Sequence, residues 1–460
     1  MKKILLFSFL AVLAIGTTTS FDTGNCLQEY WGTKKLYQPV DTANVPTPAG
    51  YAPVFINYIG RHGARHLTNL DDLLILQKTL KSADSMHQLT TDGIQLQGMV
   101  AKLLLVEKQE DCGLLTIEGK EELSGIGRRM GAHYPAIFNN PGADFSIVTT
   151  REKRTQQSAA SFMQGMGKTV NAGSNMHFID NDSVQLRFFE VSPGYKAFKK
   201  KGNWIAEINK LENDKHIMSE KVQIMSRFFK QGYAAALTTP AKDKKGRNVD
   251  ADFIDALFNV ATLPNAMQAE ITAAGYKPAQ LDVRSLFTCD EFAALEFVNS
   301  AKDFLMKGPG TDTNGIQVRN AVPLLVDFMN TTDSFVQNNR TAFIGRFAHA
   351  ETICPFATLL DIKGAATPVT DIFTYNKVWD VSTVMGFSAN VQWIIYESKD
   401  PGKSTLVKIL YNERPAQIPV FTDQYPYYRW DDVKQFYINK LNKLDVNING
   451  DMLTYLQQLK

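Results

Sequence analysis

The stretch that decides the fold of this chain is VFINYIGRHGAR, residues 54–65. Its first six residues form a mostly apolar run, which predicts a buried strand. His62 follows soon after, flanked by Arg61 and Arg65, and Gly63 is expected to let the backbone turn there. In open α/β sheets, binding sites gather beyond the carboxyl ends of the strands. The stretch therefore predicts an α/β sheet with a cationic, histidine-containing site at its edge.

The same pattern, an apolar strand followed by polar residues, occurs twice more. Residues 145–149 predict a second strand, and Arg154 follows it. Residues 341–347 predict a third strand, and His349 and Glu351 follow that one. Because the carboxyl ends of parallel strands meet at one edge of a sheet, we expect the three polar groups to converge on a single crevice.

The remaining segments predict helices and a final hairpin. Helical patterns lie near residues 71–87, 92–108 and 117–133, and Thr116 suits the N-cap of the third. From about 191 to 339 the pattern is mostly helical, at 218–237, 251–263, 291–306 and 318–328, with polar loops at 241–248 and 307–314. Strand patterns at 391–397 and 404–411 flank the turn DPGK and predict an antiparallel hairpin.

These patterns predict an α/β fold with a mixed, mostly parallel sheet flanked by helices and an inserted helical cap domain. Because the chain is longer than one simple core usually holds, we expect two structural units. Residues 21–190 and 340–460 are predicted to form the α/β core, and residues 191–339 the helical cap.

The N-terminus predicts export. Lys2 and Lys3 precede an apolar run that is too short to span a bilayer, and small polar residues follow, so residues 1–20 are typical of a secretory signal peptide. The mature protein is then periplasmic or secreted, and no later segment is apolar enough to be transmembrane. A lipid anchor at Cys26 is a minor alternative, because Asn25 is a poor residue before a modified cysteine.

Charge and cysteine content narrow the class further. The chain has 49 basic and 47 acidic residues, and removal of residues 1–20 leaves 47 of each. This balance argues against a nucleic-acid binder and requires a local basic patch for any polyanionic ligand. Disulfide pairing stays open, including the alternative that all four cysteines are free, and no two have metal-ligand spacing; the four are Cys26, Cys112, Cys289 and Cys354.

The residue types suit phosphoryl transfer. A neutral His62 can attack phosphorus while Arg61 and Arg65 hold the phosphoryl oxygens, although most histidines in proteins are structural. Arg154 is favoured over Arg151 as a further oxygen ligand, because a cation in the first turn of a helix is mildly disfavoured unless an anion is present.

Glu351 is the candidate proton donor, and His349 would hydrogen-bond a phosphoryl oxygen. An alkoxide is a poor leaving group, so an acid must protonate it, and the same carboxylate could later activate water. Taken alone, the segment would be no more than a capped helix start. His66, His87, His133, His177 and His216 are interpreted as structural.

Together these motifs resemble the branch-2 histidine phosphatases, the group of histidine acid phosphatases and phytases. Residues 61–67 match the pattern Arg-His-Gly-x-Arg-x-Pro, except that Leu67 replaces the proline. Residues 115–119 match Leu-Thr-x-x-Gly, and Arg154 with Thr155 matches the Arg-Thr that precedes a helix. Residues 349–351, His-Ala-Glu where many members have His-Asp, resemble the multiple inositol polyphosphate phosphatase subgroup.

The resemblance implies a phosphoglycerate-mutase-like fold and a phosphohistidine mechanism with no metal or other cofactor. It implies inositol hexakisphosphate (phytate) and lower inositol phosphates as substrates. Residues 184–189 predict another strand with Arg187 near its end, and the resemblance makes Arg187 a contact for a second phosphate. Lys196 and the lysines at 199–201 form a basic stretch nearby, and the lysines at 199–201 are interpreted as solvated.

Two rival functions stay open. One is a broad-specificity acid phosphatase acting on sugar phosphates or phosphoglycerates. The other is a non-catalytic polyphosphate-binding protein, which is disfavoured because such a protein would need the arginines but neither His62 nor Glu351.

Overall fold

The computed structural model describes residues 30–39, 45–140, 144–167, 175–238, 249–338 and 341–460. The predicted signal peptide, the candidate anchor Cys26 and the predicted loop at 241–248 lie outside these residues. Within the described ranges, none of the helices is both long enough and apolar enough to cross a membrane.

One mixed sheet organises the described residues, with the strand order β3-β2-β4-β1-β5-β6-β7 and with β8 paired to β6. The strands are β1 (Tyr51–Arg61), β2 (Asp144–Thr149), β3 (Asn175–Ile179), β4 (Thr341–Ala348), β5 (Asn390–Ser398), β6 (Leu406–Tyr411), β7 (Arg414–Pro415) and β8 (Tyr427–Arg429). Strands β3, β2, β4 and β1 pair in parallel, whereas every pairing from β1 to β5 and beyond is antiparallel. The predicted mixed sheet and its terminal hairpin, β5 with β6, are confirmed, but among the described strands three pairings are parallel and four antiparallel, so the sheet is not mostly parallel.

Helices cover both faces of the sheet and form a further layer beside it. They are α1 (Asp71–Ser85), α2 (Thr91–Val106), α3 (Ile117–His133), α4 (Pro135–Phe138), α5 (Lys153–Gly167), α6 (Phe188–Val191), α7 (Pro193–Lys201), α8 (Trp204–Glu212), α9 (Lys215–Phe228), α10 (Gln231–Thr238), α11 (Val249–Ala261), α12 (Gln268–Ala273), α13 (Cys289–Met306), α14 (Ile316–Arg319), α15 (Val322–Asn338), α16 (Ala350–Leu359), α17 (Val381–Met385), α18 (Trp430–Lys443) and α19 (Met452–Gln458).

Strand β1 is buried on both faces, as its apolar run predicted. Ile56 and Tyr58 point into the cluster that α3 and α5 cover, and Phe55 and Ile59 point into the opposite cluster, which includes α15 and α16. Asn57 is the polar exception. It is fully buried, and its side-chain amide donates to a carbonyl of α15 at 3.1 Å, so its burial is compensated.

A separate apolar cluster lies beside the sheet. It joins α1 and α2 to α9, α11 and α13, with members such as Leu76, Leu96, Phe228, Leu257 and Phe292. Helices from the predicted core segment therefore share their packing with helices from the predicted cap, while α15 packs on the sheet. The division into core and cap stays a prediction.

One predicted strand is wrong, and two predicted helices are interrupted, the one at 318–328 being divided at residues 320–321. Residues 184–189 do not form a strand, because Phe188 begins helix α6 and Arg187 is its N-cap. Phe188 packs into the core. A short apolar run is expected both for a strand and for a buried helical turn, so the pattern did not distinguish the two. The helix predicted at 218–237 is divided at Phe229, which forms an isolated bridge with Leu89.

The cysteines differ in state. Cys112 and Cys354 are free thiols, and Cys354 is buried. Cys289 is disulfide-bonded. The possibility that all four cysteines are free is therefore wrong, as is any pairing that uses Cys112 or Cys354.

Candidate active site

The three strand ends meet at one edge of the sheet. Strand β4 lies between β2 and β1, and its last residue, Ala348, is in register with Arg61. The ring of His62, which follows β1, lies edge-on to the ring of His349, which follows β4, with centroids 5.7 Å apart. Arg154, at the start of α5, places Nη2 3.5 Å from His349 Nδ1. The expected convergence is confirmed.

His62 is held as a neutral imidazole. Its Nδ1 lies 2.9 Å from the carbonyl oxygen of Gly63. A carbonyl oxygen can only accept, so Nδ1 carries the proton and Nε2 keeps a free lone pair. Burial, and then the charges of Arg61 and Arg65, hold the pKa of His62 well below its usual value. The ring is therefore in the state that nucleophilic attack requires.

The φ angle of Gly63 does not lie in the left-handed region, so its backbone conformation does not require glycine. Glycine is required because two backbone segments approach each other closely here. A Cβ on Gly63 would lie 2.4 Å from the carbonyl oxygen of Gly119, and a Cβ on Gly119 would lie 2.0 Å from that of Ala64. Both distances are shorter than real Cβ contacts. The two glycines thus let the loop after β1 pack directly on the first turn of α3, and the expected turn is not the reason for Gly63.

Glu122 fixes the same loop from α3. Its carboxylate accepts hydrogen bonds from the backbone N–H of Ala64 at 2.9 Å, the Ser388 hydroxyl at 2.9 Å and the backbone N–H of Tyr37 at 2.6 Å. Sequence reasoning missed Glu122, since a glutamate on an amphipathic helix is usually solvated.

The guanidinium of Arg61 is anchored by backbone. Its Nη1 donates to the carbonyl oxygen of Thr33 at 2.6 Å and to that of Met385. The group also lies 4.7 Å from the ring centroid of Phe387. Burial, and then the neighbouring charge of Arg65, lowers the pKa of Arg61 to about 10, so it remains a cation at neutral pH.

Three arginines of this site have donors without a partner in the described part of the chain. Among the described residues, the buried Nε–H groups of Arg61, Arg65 and Arg154 have no acceptor. Burial and then Arg154 lower the pKa of Arg65 to about 10. Buried cationic donors without partners are costly, and an oxyanion with several acceptor atoms relieves that cost. The arrangement around His62 therefore suits a phosphoryl group.

His349 is also neutral and lies inside a charged network. It is 2% exposed, and burial followed by Arg154 lowers its pKa to about 3. Its Nε2 lies 3.1 Å from Thr150 Oγ1 and 3.4 Å from Arg187 Nη1. Glu152 joins the arginines, at 3.1 Å from Arg154 and 2.8 Å from Arg187. Glu152 was missed, although its place beside Arg151 and Arg154 was a signal.

Arg151 and Arg187 differ from Arg154. The side chain of Arg151 is 63% exposed and pairs with Glu190, so the preference for Arg154 agrees with the geometry. Arg187 is buried, and its guanidinium is occupied by Glu152 and Glu190. Its contacts with the other site residues are those with His349 and Glu152.

Glu351 stands in the first turn of α16, directly beyond His349. Its side chain is 34% exposed, and Oε1 lies 3.2 Å from Nζ of Lys307, which in turn lies 2.8 Å from Asp303. Burial raises the pKa of Glu351, but the ammonium of Lys307 outweighs this effect and holds the pKa well below its usual range. Lys307 was predicted only as the start of a polar loop, so nothing in the sequence linked it to Glu351.

Other predicted residues lie outside this arrangement. His66 pairs with Glu107 at 2.8 Å, which supports its structural interpretation. Residues 199–201 are exposed in the last turn of α7. Across the described part of the chain, no group of three or more histidine, cysteine, aspartate or glutamate side chains could hold a metal ion.

The fold and the site define a class: an α/β protein with a neutral histidine among arginines at the carboxyl ends of parallel strands. The sequence pattern of the histidine phosphatase superfamily (branch 2) matches residues 55–412 of this chain. The chain belongs to branch 2 of the histidine phosphatase superfamily.

This chain is similar in sequence or structure to several named proteins. Multiple inositol polyphosphate phosphatase 1 of Gallus gallus is 23% identical over 436 residues, which cover 87% of this chain and 89% of that protein. The structure of Bifidobacterium longum multiple inositol polyphosphate phosphatase in complex with inositol hexasulfate aligns with a TM-score of 0.76 and 22% identity, covering 89% of this chain and 97% of the other. The phytase from D. castellii aligns with a TM-score of 0.62 and 13% identity, covering 93% and 88%. These alignments establish the fold.

Proposed function

We propose that this protein hydrolyses the phosphomonoesters of inositol polyphosphates, including inositol hexakisphosphate, through a covalent phosphohistidine at His62. The observation that carries the proposal is the neutral imidazole, with Nε2 free, among three arginines whose buried Nε–H groups lack acceptors. Membership of the branch-2 histidine phosphatases and the names of the similar proteins support the substrate class.

In the first step, Nε2 of His62 attacks phosphorus. A bond from Nε2 to phosphorus forms as the ester P–O bond breaks, and Glu351 gives its proton to the departing ester oxygen. Arg61, Arg65 and Arg154 donate to the phosphoryl oxygens, where negative charge is concentrated in the transition state.

In the second step, water attacks the phosphohistidine. Glu351, now a carboxylate, takes a proton from the water as the N–P bond breaks, and inorganic phosphate leaves. The pairing of Glu351 with Lys307 suits this second role, because it favours the ionised carboxylate.

His349 and Arg187 are proposed to support the phosphate site. Both ring nitrogens of His349 face arginine donors, Nδ1 at 3.5 Å from Arg154 and Nε2 at 3.4 Å from Arg187, and Nε2 also lies 3.1 Å from the Thr150 hydroxyl, so these cations favour the neutral ring. A phosphoryl dianion would favour protonation of Nδ1, which could then donate to it. Arg187 is held by two carboxylates, which favours a role in positioning His349 over direct contact with a second phosphate.

The covalent step has a direct test. His62→Ala should abolish phosphate release while inositol hexakisphosphate still binds, as measured by calorimetry, and the exposed His133→Ala serves as the matched control. Wild-type enzyme denatured in alkali during turnover, where a phosphoramidate survives, should carry phosphate on the peptide that contains His62. Undiminished turnover by His62→Ala, or phosphate on another residue, would overturn the mechanism.

The rival substrate class is tested by comparing turnover of inositol hexakisphosphate with that of a simple sugar phosphate. We expect a higher kcat/KM for the inositol phosphate. Equal values would favour the broad-specificity acid phosphatase. A protein that binds both and hydrolyses neither would be the polyphosphate binder.

We further propose that the protein is exported, on the strength of the N-terminal pattern at residues 1–20. The disulfide-bonded state of Cys289 supports an oxidising compartment. N-terminal sequencing of the protein isolated from its source cells should start near residue 21, and a mature chain that keeps Lys2 and Lys3 would contradict export by this signal.

A further inference from the structure

The partner of Glu351 comes from the helical segment rather than from the sheet. Lys307 directly follows the last residue of α13, and Asp303 lies one turn earlier on that helix. The ammonium of Lys307 lies between the two carboxylates, 2.8 Å from Asp303 and 3.2 Å from Glu351. The side chains of Lys307 and Asp303 are only 16% and 19% exposed, so solvent screens this chain of charges weakly.

This geometry bears on the first step of the proposed reaction. A proton donor must be protonated when the ester bond breaks, and an ammonium 3.2 Å away favours the ionised carboxylate. Lys307 therefore limits the fraction of enzyme that can donate a proton, and Asp303 weakens that limit because it competes for the same ammonium.

We propose that Lys307 and Asp303 are positioning residues that together set the protonation of Glu351, and thereby the pH range over which alkyl phosphate esters are cleaved. The inference rests on the proposed role of Glu351 as proton donor. In this proposal, residues at the end of α13 control the pH dependence of the reaction, although α13 does not belong to the three strand ends that carry the other site residues.

Several other groups face Glu351 and contribute to its charge state. Cations lie at the end of β1, on the loop after it and on α5, and further titratable groups lie on α7, at the N-cap of α16 and on α16 itself. They are Arg61, Arg65, Arg154, His349, Tyr195 and Cys354. The variants below leave all of them in place, so these groups are a constant background.

The experiment compares two substitutions that should act in opposite directions. Lys307→Met removes the ammonium, so the descending, high-pH limb of kcat/KM for inositol hexakisphosphate should move upward by roughly one to three pH units. In Asp303→Asn, Glu351 is the only remaining carboxylate of the pair that contacts Lys307, so the same limb should move to lower pH. Titration of the substrate is identical in all variants and cancels in the comparison.

Controls separate tuning from structural damage. Lys302→Met on the same helix removes a lysine that pairs with other carboxylates, Glu212 and Asp255, and its limb should coincide with that of the wild type. With an aryl phosphate, whose leaving group needs little protonation, neither Lys307→Met nor Asp303→Asn should move the limb. If circular dichroism shows that Lys307→Met does not fold, the direction in which Asp303→Asn moves the limb decides whether the inference holds.

Coincident profiles, or shifts of both variants in the same direction, would overturn the inference. Failure of the proposed function has a different signature. Glu351→Gln should slow inositol hexakisphosphate turnover far more than aryl phosphate turnover, and equal slowing would remove Glu351 as the acid. If Glu351→Gln discriminates between the substrates while the other two variants leave the limb in place, only the tuning by Lys307 and Asp303 is wrong.

Discussion

Two buried arginines on neighbouring strands have opposite environments. Arg61 on β1 is 4% exposed and Arg346 on β4 is 3% exposed. Arg346 donates to Asp327 and to the side-chain oxygen of Asn57, and its guanidinium lies 4.7 Å from the centroid of a phenylalanine ring. Arg61 also lies over a phenylalanine ring, but its Nη1 donates only to carbonyl oxygens, and the neighbouring charge that most affects its pKa is that of Arg65.

The two environments differ in whether a carboxylate pairs with the guanidinium, as Asp327 does with that of Arg346. Where an arginine has a carboxylate partner, burial produces a structural cation that ties two elements together, here α15 and β4. Where the partner is another arginine, burial leaves donors and charge available to an anion. The four predictions that follow test this contrast, from the largest expected effect to the smallest.

The largest effect is expected in activity. Arg65→Met should lower kcat by about 10²- to 10³-fold, the range seen when a donor to a transition-state oxyanion is removed. The free energy of unfolding should stay within about 1 kcal/mol of wild type, because one of a group of mutually repelling cations is lost. Steady-state kinetics and urea denaturation measure the two quantities, and a large loss of stability with normal kcat would break the contrast.

The converse substitution should act on stability. Arg346→Met leaves Asp327 and the oxygen of Asn57 without their partner, which should cost about 3 kcal/mol of unfolding free energy. Under conditions where the variant is folded, kcat should stay within a few-fold of wild type. Urea denaturation checks the first expectation, and a kcat loss as large as that of Arg65→Met would mean that Arg346 belongs to the site.

The buried histidines should make the site region sensitive to acid. The pKa of His349 is about 3 in the folded protein, against 6.5 for an unperturbed histidine, so below pH 6.5 the unfolded chain binds a proton that the folded protein does not. Stability is therefore fully present above pH 6.5 and falls as the pH drops toward 3, by about 1.4 kcal/mol per pH unit for this group. The His349→Asn variant should lose less stability than wild type between pH 7 and pH 5. Parallel losses would show that His349 is not buried as a neutral ring.

His66 provides the matched comparison within this prediction. Burial lowers its pKa, but the hydrogen bond to Glu107 and the charge of Glu107 outweigh this and raise it. Its contribution to stability is therefore present below pH 6.5 and is lost as the pH rises through its raised pKa. The paired and unpaired histidines should thus respond to pH with opposite signs.

The smallest effect is expected from anion binding. Inorganic phosphate at ten times its dissociation constant should stabilise the wild type by about 1.4 kcal/mol through binding linkage. The stabilisation should shrink in Arg65→Met and stay unchanged in Lys302→Met. Thermal denaturation with and without phosphate measures it, and equal stabilisation in Arg65→Met would place the bound anion elsewhere.

The sequence predicted the elements whose signals are local. Helix α3 was predicted with the bounds Ile117 and His133 because Thr116 caps its start and a proline follows its end. The converging segments were predicted because each places polar residues directly behind an apolar strand. The histidine between arginines needs no long-range information to be recognised.

The missed features depend on contacts between distant parts of the chain. Lys307 and Glu351 are 44 positions apart and belong to different elements, so only the fold reveals that they pair. Glu122 has the pattern of an ordinary helical surface glutamate until three other segments bring two N–H groups and a hydroxyl to it. Arg187 was assigned to a strand because its apolar neighbours have the same composition in a strand as in the buried turn they form.

The carbonyl of Thr33 has a practical consequence. The sheet begins only at Tyr51, which makes the residues before it look dispensable when a protein is trimmed for crystallisation or expression. Yet Thr33 anchors Arg61, and Lys34 donates to a carbonyl near the end of α11 at 2.5 Å. A chain shortened to begin at residue 45 would keep every described strand but lose one of the two carbonyls that hold Arg61, so trimming should stop before Trp31.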